Sequence, residues 1–210
     1  SDLDPSQWIV FHSVFSLSEK PSSNFLKIAA DSKYWLWVNG ELAVFEGGLK
    51  RGPNPKDTYF DVVDIAPFLK TGENKIALLL CYFGKDGFSH KTSDHPQLWF
   101  SCPSLGLESD GSWLGRVLPA YGKANCPEPN FRLSESSIQF DAREDIGDWR
   151  TGERDGFGPA VTGASTLGTL HRRPIPMWKD FGINDIAFEK HSGAERDTII
   201  ARLPHNMQMT

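Results

Sequence analysis

The sequence lacks the features of a membrane-spanning or nucleic-acid-binding protein. It has no run of about 18 apolar residues, the length that a membrane-spanning helix needs. Its 27 acidic residues outnumber its 22 lysines and arginines, which gives a formal net charge of -5. The chain therefore has no excess of positive charge that could hold a phosphate backbone. We predict no membrane span and no nucleic-acid partner.

Cysteine is also scarce. Cys81, Cys102 and Cys126 are too few for a disulfide framework, and no two of them form the C-x-x-C pair typical of a zinc site. We interpret them as reduced thiols that are buried or partly buried.

Metal-binding patterns are missing as well. His90 and His95 lie with Asp86 and Asp94 in an irregular polar loop, and this spacing favours solvated side chains over metal ligands. Calcium would need several converging oxygen ligands, and the sequence has no dense Asp/Asn loop of the EF-hand kind. We expect no metal site and no cofactor, with calcium as the one alternative left open.

Catalytic motifs are equally scarce. No G-x-S-x-G segment supports a serine nucleophile. Asp61 and Asp64 lie three residues apart at the end of a predicted strand, where a carboxylate caps the following turn more readily than it acts in an acid/base pair. The sequence predicts no catalytic residue.

The composition favours an all-β fold. Seven tryptophans accompany 19 glycines and 14 prolines, a balance typical of many short strands joined by turns. Residues 8–17 and 25–30 are predicted strands, rich in β-branched and aromatic types. Residues 75–83, KIALLLCYF, form an almost continuous apolar run, which predicts a strand in the middle of a sheet with both faces covered.

One predicted strand is apolar on both faces. Alternation in YWLWV places Tyr34, Leu36 and Val38 on one face and Trp35 and Trp37 on the other. This strand is either covered on both sides or offers an aromatic surface to a ligand.

The turns are predicted from glycine, proline and asparagine. Asn39-Gly40 predicts a type I′ hairpin, because both central residues of that turn need a positive φ. Residues 46–57 have three glycines and two prolines and are predicted to be a loop. Ser109-Asp110-Gly111 predicts a second hairpin, between strands on either side of it. Residues 172–176, RRPIP, are predicted to form an extended connector that leaves the domain.

A sugar-binding site is the candidate function of the stretch of residues 28–69. Sugars offer apolar C–H faces and a ring of hydroxyl groups, so their binding sites combine aromatic rings with forked polar groups. The stretch supplies both types in Asp31, Trp35, Trp37, Asn39, Lys50 and Arg51. The alternative is that both tryptophans pack under loops, the asparagine serves only its turn, and the basic pair is solvated.

Two segments resemble a known family. They are AADSKYWLWVNGELAVFEGGLKRGP at residues 29–53 and TYFDVVDIAPFLKTGENKIALLLCYFG at residues 58–84. Their order is similar to that in the N-terminal β-sandwich module of bacterial α-L-rhamnosidases of glycoside hydrolase family 78. The likeness extends over about residues 8–182.

This resemblance implies a jelly-roll, galactose-binding-like β-sandwich at residues 1–178. Residues 179–210 would be a connector and the first strand of a following β domain. In the family, an (α/α)6 barrel carries the catalytic carboxylates and hydrolyses α-L-rhamnosides with inversion, and no residue of this chain matches either carboxylate. The resemblance therefore implies a non-catalytic module of a longer, secreted or periplasmic enzyme.

The partner of such a module would be its own catalytic barrel or a rhamnose-containing glycan. Two alternatives stay open from the sequence: a stand-alone carbohydrate-binding module, and a purely structural module between domains.

Overall fold

The computed structural model describes residues 6–49, 52–87, 90–123, 138–152, 155–177, 187–192 and 198–202. The chain divides into two compact units, Ser1–Trp178 and Lys179–Thr210. The described part contains no helix long and apolar enough to cross a membrane.

The first unit is built from short strands. In chain order they are β1 (Gln7–Leu17), β2 (Phe25–Asp31), β3 (Lys33–Val38), β4 (Glu41–Gly48), β5 (Thr58–Asp64), β6 (Gly72–Tyr82), β7 (Gln97–Cys102), β8 (Leu107–Glu108), β9 (Leu114–Val117), β10 (Tyr121–Lys123), β11 (Ile138–Phe140), β12 (Gly158–Pro159) and β13 (Leu170–Arg172). Helical structure in the described residues is limited to the 3-10 turns Ala66–Phe68, Pro103–Leu105, Ala142–Glu144 and Trp149–Thr151. The predicted all-β class is confirmed.

Two sheets pack face to face. One has six strands in the order β12-β9-β1-β6-β3-β4, and the other has five in the order β13-β5-β2-β7-β8. The core between them contains Leu26 and Ile28 from β2, and Leu36, Leu78 and Leu80 from β3 and β6, all fully buried. This arrangement confirms the predicted jelly-roll β-sandwich.

Strand β6 lies between β1 and β3 and is buried on both faces, as its apolar run predicted. Leu78 and Leu80 point into the core between the sheets, whereas Ala77, Leu79 and Cys81 belong to a second cluster on the outer face of the six-stranded sheet. Each fully buried leucine stabilises the fold by about 1.5–3 kcal/mol. Strand β6 is therefore a main source of stability for the six-stranded sheet.

The second cluster covers the outer face of the six-stranded sheet. Trp8 from β1 packs with Leu118, Trp149 and Phe157 from the segments that follow β9 and β11. Trp149 is only 1% exposed, so the segment after β11 is anchored to the sheet by an aromatic ring. The centre of the six-stranded sheet is thus covered on both sides.

The Asn39-Gly40 hairpin joins β3 to β4. The φ angles are 53° at Asn39 and 84° at Gly40, and Val38 pairs with Glu41 across the turn. Both positive angles fit a type I′ turn, so this prediction is confirmed.

Two local predictions are wrong. Strand β4 continues to Gly48, inside the predicted loop 46–57, because Gly47 has no Cβ and lets the Tyr34 ring pack directly on its backbone. Ser109-Gly111 does not close a hairpin: β8 pairs with β7 in the five-stranded sheet, and β9 pairs with β1 in the six-stranded sheet. The segment between them carries the chain from one sheet to the other.

The second unit contains the strands β14 (Ala187–Ser192) and β15 (Thr198–Arg202), which pair antiparallel with a bulge between Phe188 and Lys190.

Asn74 ties the hairpin to the turn that precedes β6. It is fully buried, and its side chain makes four hydrogen bonds: it accepts from Asn39 Nδ2 and Lys70 N and donates to the carbonyls of Lys70 and Gly72. Asn39 Nδ2 also donates to the carbonyl of Phe68 at 2.9 Å.

We expect Asn74→Ala to lower the free energy of unfolding by about 2–4 kcal/mol, because it leaves buried backbone groups without partners. Urea unfolding measures the change. Asn54→Ala is the matched control: this asparagine is exposed and bonds only within its own loop, so its replacement should cost less than about 1 kcal/mol. Equal decreases in the free energy of unfolding of the two variants would contradict the stabilising role of the Asn74 side chain.

Candidate functional site

Trp35 and Trp37 lie on the outer face of the six-stranded sheet, in the second cluster. The Trp35 ring stacks on Trp8 with centroids 5.3 Å apart, and Trp37 meets Trp149 edge to face at 5.2 Å. The Arg150 guanidinium lies over the Trp149 ring, 4.2 Å from its centroid. Both predicted binding tryptophans are therefore partly buried by packing within the chain.

Asp31 is fully buried at the end of β2, in a network of hydroxyl groups. Its Oδ1 accepts from Ser32 Oγ at 2.8 Å. Its Oδ2 accepts from the backbone N and the Oγ of Ser93 and from Thr92 Oγ1 at 3.1 Å. The carboxylate thus fixes the loop before β7 onto the end of β2, and its oxygens are occupied by donors of the chain.

His90 corrects a prediction. The sequence predicts a solvated loop histidine, but His90 is only 3% exposed and its Nε2 lies 3.3 Å from Asp31 Oδ1. Nε2 is also 3.4 Å from Ser32 Oγ, while Phe83 packs against the ring edge to face. The polar loop folds inwards at this residue because the buried Asp31 carboxylate needs partners. His95 is exposed, as predicted.

Of the predicted sugar-binding residues that the structure describes, Asp31 and Asn39 are not brought together. Asp31 and Asn39 lie at opposite ends of β3, roughly 20 Å apart at about 3.3 Å per residue. The Asn39 amide holds its turn against β6, where its Oδ1 accepts from Lys75 N at 3.0 Å. Lys50 and Arg51 lie outside the described residues.

A second buried carboxylate, Asp61, joins β5 to β3, to the end of β4 and to the segment after β13. Tyr34 Oη donates to Asp61 Oδ2 at 2.9 Å, Gly48 N donates to the same oxygen at 3.0 Å, and Arg173 Nε pairs with Oδ1. Arg173 also donates to the carbonyl of Gly48 at 2.6 Å. Burial raises the pKa of Tyr34 well above its ordinary value, and the negative charge of Asp61 raises it further.

A pocket of about 290 Å³ lies beside this network. Its walls are the end of β4 and the segment after β13, and the lining residues are Glu46, Gly47, Gly48, Arg173, Ile175, Pro176 and Met177. The Arg173 guanidinium is already committed to Asp61 and Gly48, so the pocket offers a largely apolar wall.

These carboxylates do not form an acid/base pair for hydrolysis. An inverting glycosidase holds two carboxyl groups about 6.5–9.5 Å apart around a sugar. Asp31 and Asp61 are each buried in a separate network and accept hydrogen bonds from within the chain. The described residues also contain no group of three or more His, Cys, Asp or Glu side chains that could hold a metal ion.

The sequence missed a set of residues on the outer face of the five-stranded sheet. Lys27, Ala29, Phe60, Trp99 and Arg172 lie there, and we call this set the Phe60–Trp99 face. The two rings meet at a centroid distance of 5.9 Å with their planes at 63°. The signal was present: in TYFDVVD and QLWFSC both aromatics alternate with buried core residues. The pairing of β2 with β5 and with β7 brings the two rings side by side.

No protein-family model and no curated protein matches the chain. Solved structures do match. A family 78 rhamnosidase of Bacillus sp. GL1 is 25% identical, with a TM-score of 0.66 over 82% of this chain. An α-L-rhamnosidase from Dictyoglumus thermophilum is 20% identical, with a TM-score of 0.59 over 88% of this chain. One from Aspergillus terreus is 16% identical, with a TM-score of 0.58 over 91% of this chain.

The chain spans only a fifth of these proteins: 19% of the Bacillus enzyme, 20% of the Dictyoglumus enzyme and 23% of the Aspergillus enzyme. The matches confirm the resemblance to α-L-rhamnosidases of glycoside hydrolase family 78 and the β-sandwich fold. The resemblance concerns one part of those enzymes and fits a non-catalytic module.

The Asp31 network makes stability depend on pH. Burial alone would raise the pKa of Asp31, but hydrogen bonds from His90, Ser93 and Ser32 outweigh it and hold the pKa below its ordinary value. A carboxylate with a lowered pKa stabilises the folded state above its unfolded pKa of about 3.9, and this contribution is lost as the pH falls through the folded pKa.

We expect Asp31→Asn to destabilise the protein more at pH 7 than at pH 3. The measurement is urea unfolding of both proteins across this pH range. Ser93→Ala is the control. It removes the hydroxyl donor but keeps the backbone donor, so it should lower the free energy of unfolding at pH 7 by less than Asp31→Asn does. If Asp31→Asn lowers the free energy of unfolding equally at every pH, the charge of Asp31 contributes nothing to stability.

Proposed function

We propose that this chain is a non-catalytic β-sandwich module of an α-L-rhamnosidase-like glycoside hydrolase. The observation that carries the proposal is the match to a family 78 rhamnosidase at 25% identity, which covers 82% of this chain and 19% of that enzyme. In this proposal, the catalytic carboxylates belong to a separate (α/α)6 domain, and the sandwich docks on that domain. The parent protein would be secreted or periplasmic and would act on rhamnose-containing glycans.

The chemistry of the described residues supports a non-catalytic role. Asp31 and Asp61, the two carboxylates with the deepest burial, are held by donors of the chain and stabilise loops. A general acid needs a proton within reach of the glycosidic oxygen, and a general base needs a free lone pair near water. Neither carboxylate meets these requirements.

Glycan binding is a second candidate role, and the Phe60–Trp99 face favours it. Partly exposed aromatic rings on a sheet face offer the flat apolar surface on which a sugar ring stacks.

We expect the 210-residue chain to leave an aryl α-L-rhamnoside unhydrolysed and the product of the complete gene to hydrolyse it. Both proteins are assayed for release of the aryl alcohol at equal molar concentration. Hydrolysis by the 210-residue chain would contradict the non-catalytic role. A complete gene product without rhamnosidase activity would contradict the proposed parent enzyme.

A further inference from the structure

Strand register aligns a row of side chains across the outer face of the five-stranded sheet. Arg172 of β13 is paired with Phe60 of β5, and Ala29 of β2 is paired with Trp99 of β7. The antiparallel register of β2 with β5, continued by one residue, brings Ala29 beside Phe60. The row therefore reads Arg172, Phe60, Ala29, Trp99.

The row forms an aromatic patch. Ala29 is fully buried and has no atoms beyond Cβ, and the larger Phe60 and Trp99 rings on either side of it meet at a centroid distance of 5.9 Å. Both rings are partly exposed. Along the same face of β2, Lys27 is exposed and Phe25 is 57% exposed, so solvent reaches this side of the sheet.

Two cations flank the Phe60 ring. Lys27 Nζ is 5.9 Å from the ring centroid, and Arg172 lies on the neighbouring strand. Neither side chain forms an ion pair with another residue in the part of the chain that the structure describes.

The carboxylates of the same face have other donors. Glu108 at the far edge accepts from Ser101 Oγ at 3.0 Å, and Asp64 accepts from Asn24 N and Ala66 N at 2.9 and 3.1 Å. Among the described residues, no carboxylate therefore pairs with Lys27 or Arg172.

We propose that the Phe60–Trp99 face binds a carbohydrate chain that carries carboxylate groups. Sugar rings lie on Phe60 and Trp99, and Lys27 and Arg172 bind the carboxylates. The choice of a carbohydrate rests on the proposed function. The choice of an anionic one rests on the two cations.

The chemistry of such a ligand fits each part of the face. The C–H faces of a pyranose pack on aromatic rings, and two rings with their planes at 63° can contact successive sugars of a twisted chain. A guanidinium binds a carboxylate through two parallel N–H donors, and an ammonium binds it as a point charge. A neutral glycan would use the rings and leave both cations without partners.

The test is binding of the 210-residue chain to three polymers, measured by isothermal titration calorimetry. Polygalacturonate carries sugar rings and carboxylates, its fully methyl-esterified form carries the same rings without charge, and poly-L-glutamate carries the charge without sugar. We expect polygalacturonate to bind at least about tenfold more tightly than either of the others, the equivalent of about 1.4 kcal/mol. Binding should weaken as salt is raised.

The variants separate the rings from the cations. Lys27→Gln combined with Arg172→Gln should weaken polygalacturonate binding at least about tenfold and remove its salt dependence. Trp99→Ala should weaken binding of both sugar polymers by a similar factor. The exposed charged pair can be replaced without disturbing the core, so this arm stays informative if Trp99→Ala fails to fold.

Matched controls come from outside the face. Lys70→Gln replaces an exposed lysine next to a 3-10 turn, and Phe45→Ala replaces a phenylalanine of β4 that is 44% exposed. Both should bind polygalacturonate as the unaltered chain does.

Four results would overturn the proposal: no binding of polygalacturonate, equal binding of its methyl ester, equal binding of poly-L-glutamate, or unchanged binding by the double Lys27/Arg172 variant. None of them bears on the parent enzyme, because rhamnoside hydrolysis by the complete gene product is measured separately.

Discussion

The six-stranded sheet has to be buried on both faces, and the rest of the structure follows from this constraint. Strand β6 carries apolar side chains at every position from Ile76 to Tyr82, so water on either side of it would cost about 1.5–3 kcal/mol for each exposed leucine. The five-stranded sheet covers one face, and the segments after β9 and β11 cover the other with Leu118, Trp149 and Phe157. The segment after β11 thus covers the sheet and is held there by its aromatic side chains Trp149 and Phe157.

This constraint makes the two sheets unequal as surfaces for binding. The centre of the outer face of the six-stranded sheet is covered by its own chain, and its tryptophans pack against one another. The outer face of the five-stranded sheet keeps Phe60 and Trp99 partly exposed, with Lys27 and Arg172 beside Phe60. The buried carboxylates contribute to the framework: Asp31 holds the loop before β7, and Asp61 holds the segment after β13. The proposed binding therefore falls on the surface of the five-stranded sheet.

The sequence predicted the fold well, because local patterns determined it. The apolar run of β6, the Asn39-Gly40 turn and the alternation in β3 each depend on neighbouring residues. The candidate site depends on residues that are far apart in the sequence. Alternation showed that Trp35 and Trp37 share a face, but the residue that covers Trp37 is Trp149, which lies more than 100 positions along the chain. The pairing of His90 with Asp31 and the side-by-side position of Phe60 and Trp99 likewise depend on strand register and loop closure, which composition and spacing do not encode.

Oxidative footprinting of the tryptophans, read by mass spectrometry with and without polygalacturonate, tests most directly which sheet face binds. The structure predicts that the polymer protects Trp99 from oxidation and leaves the reactivity of Trp35 and Trp37 unchanged. Protection of Trp35 or Trp37 with no effect at Trp99 would contradict the assignment of binding to the five-stranded sheet.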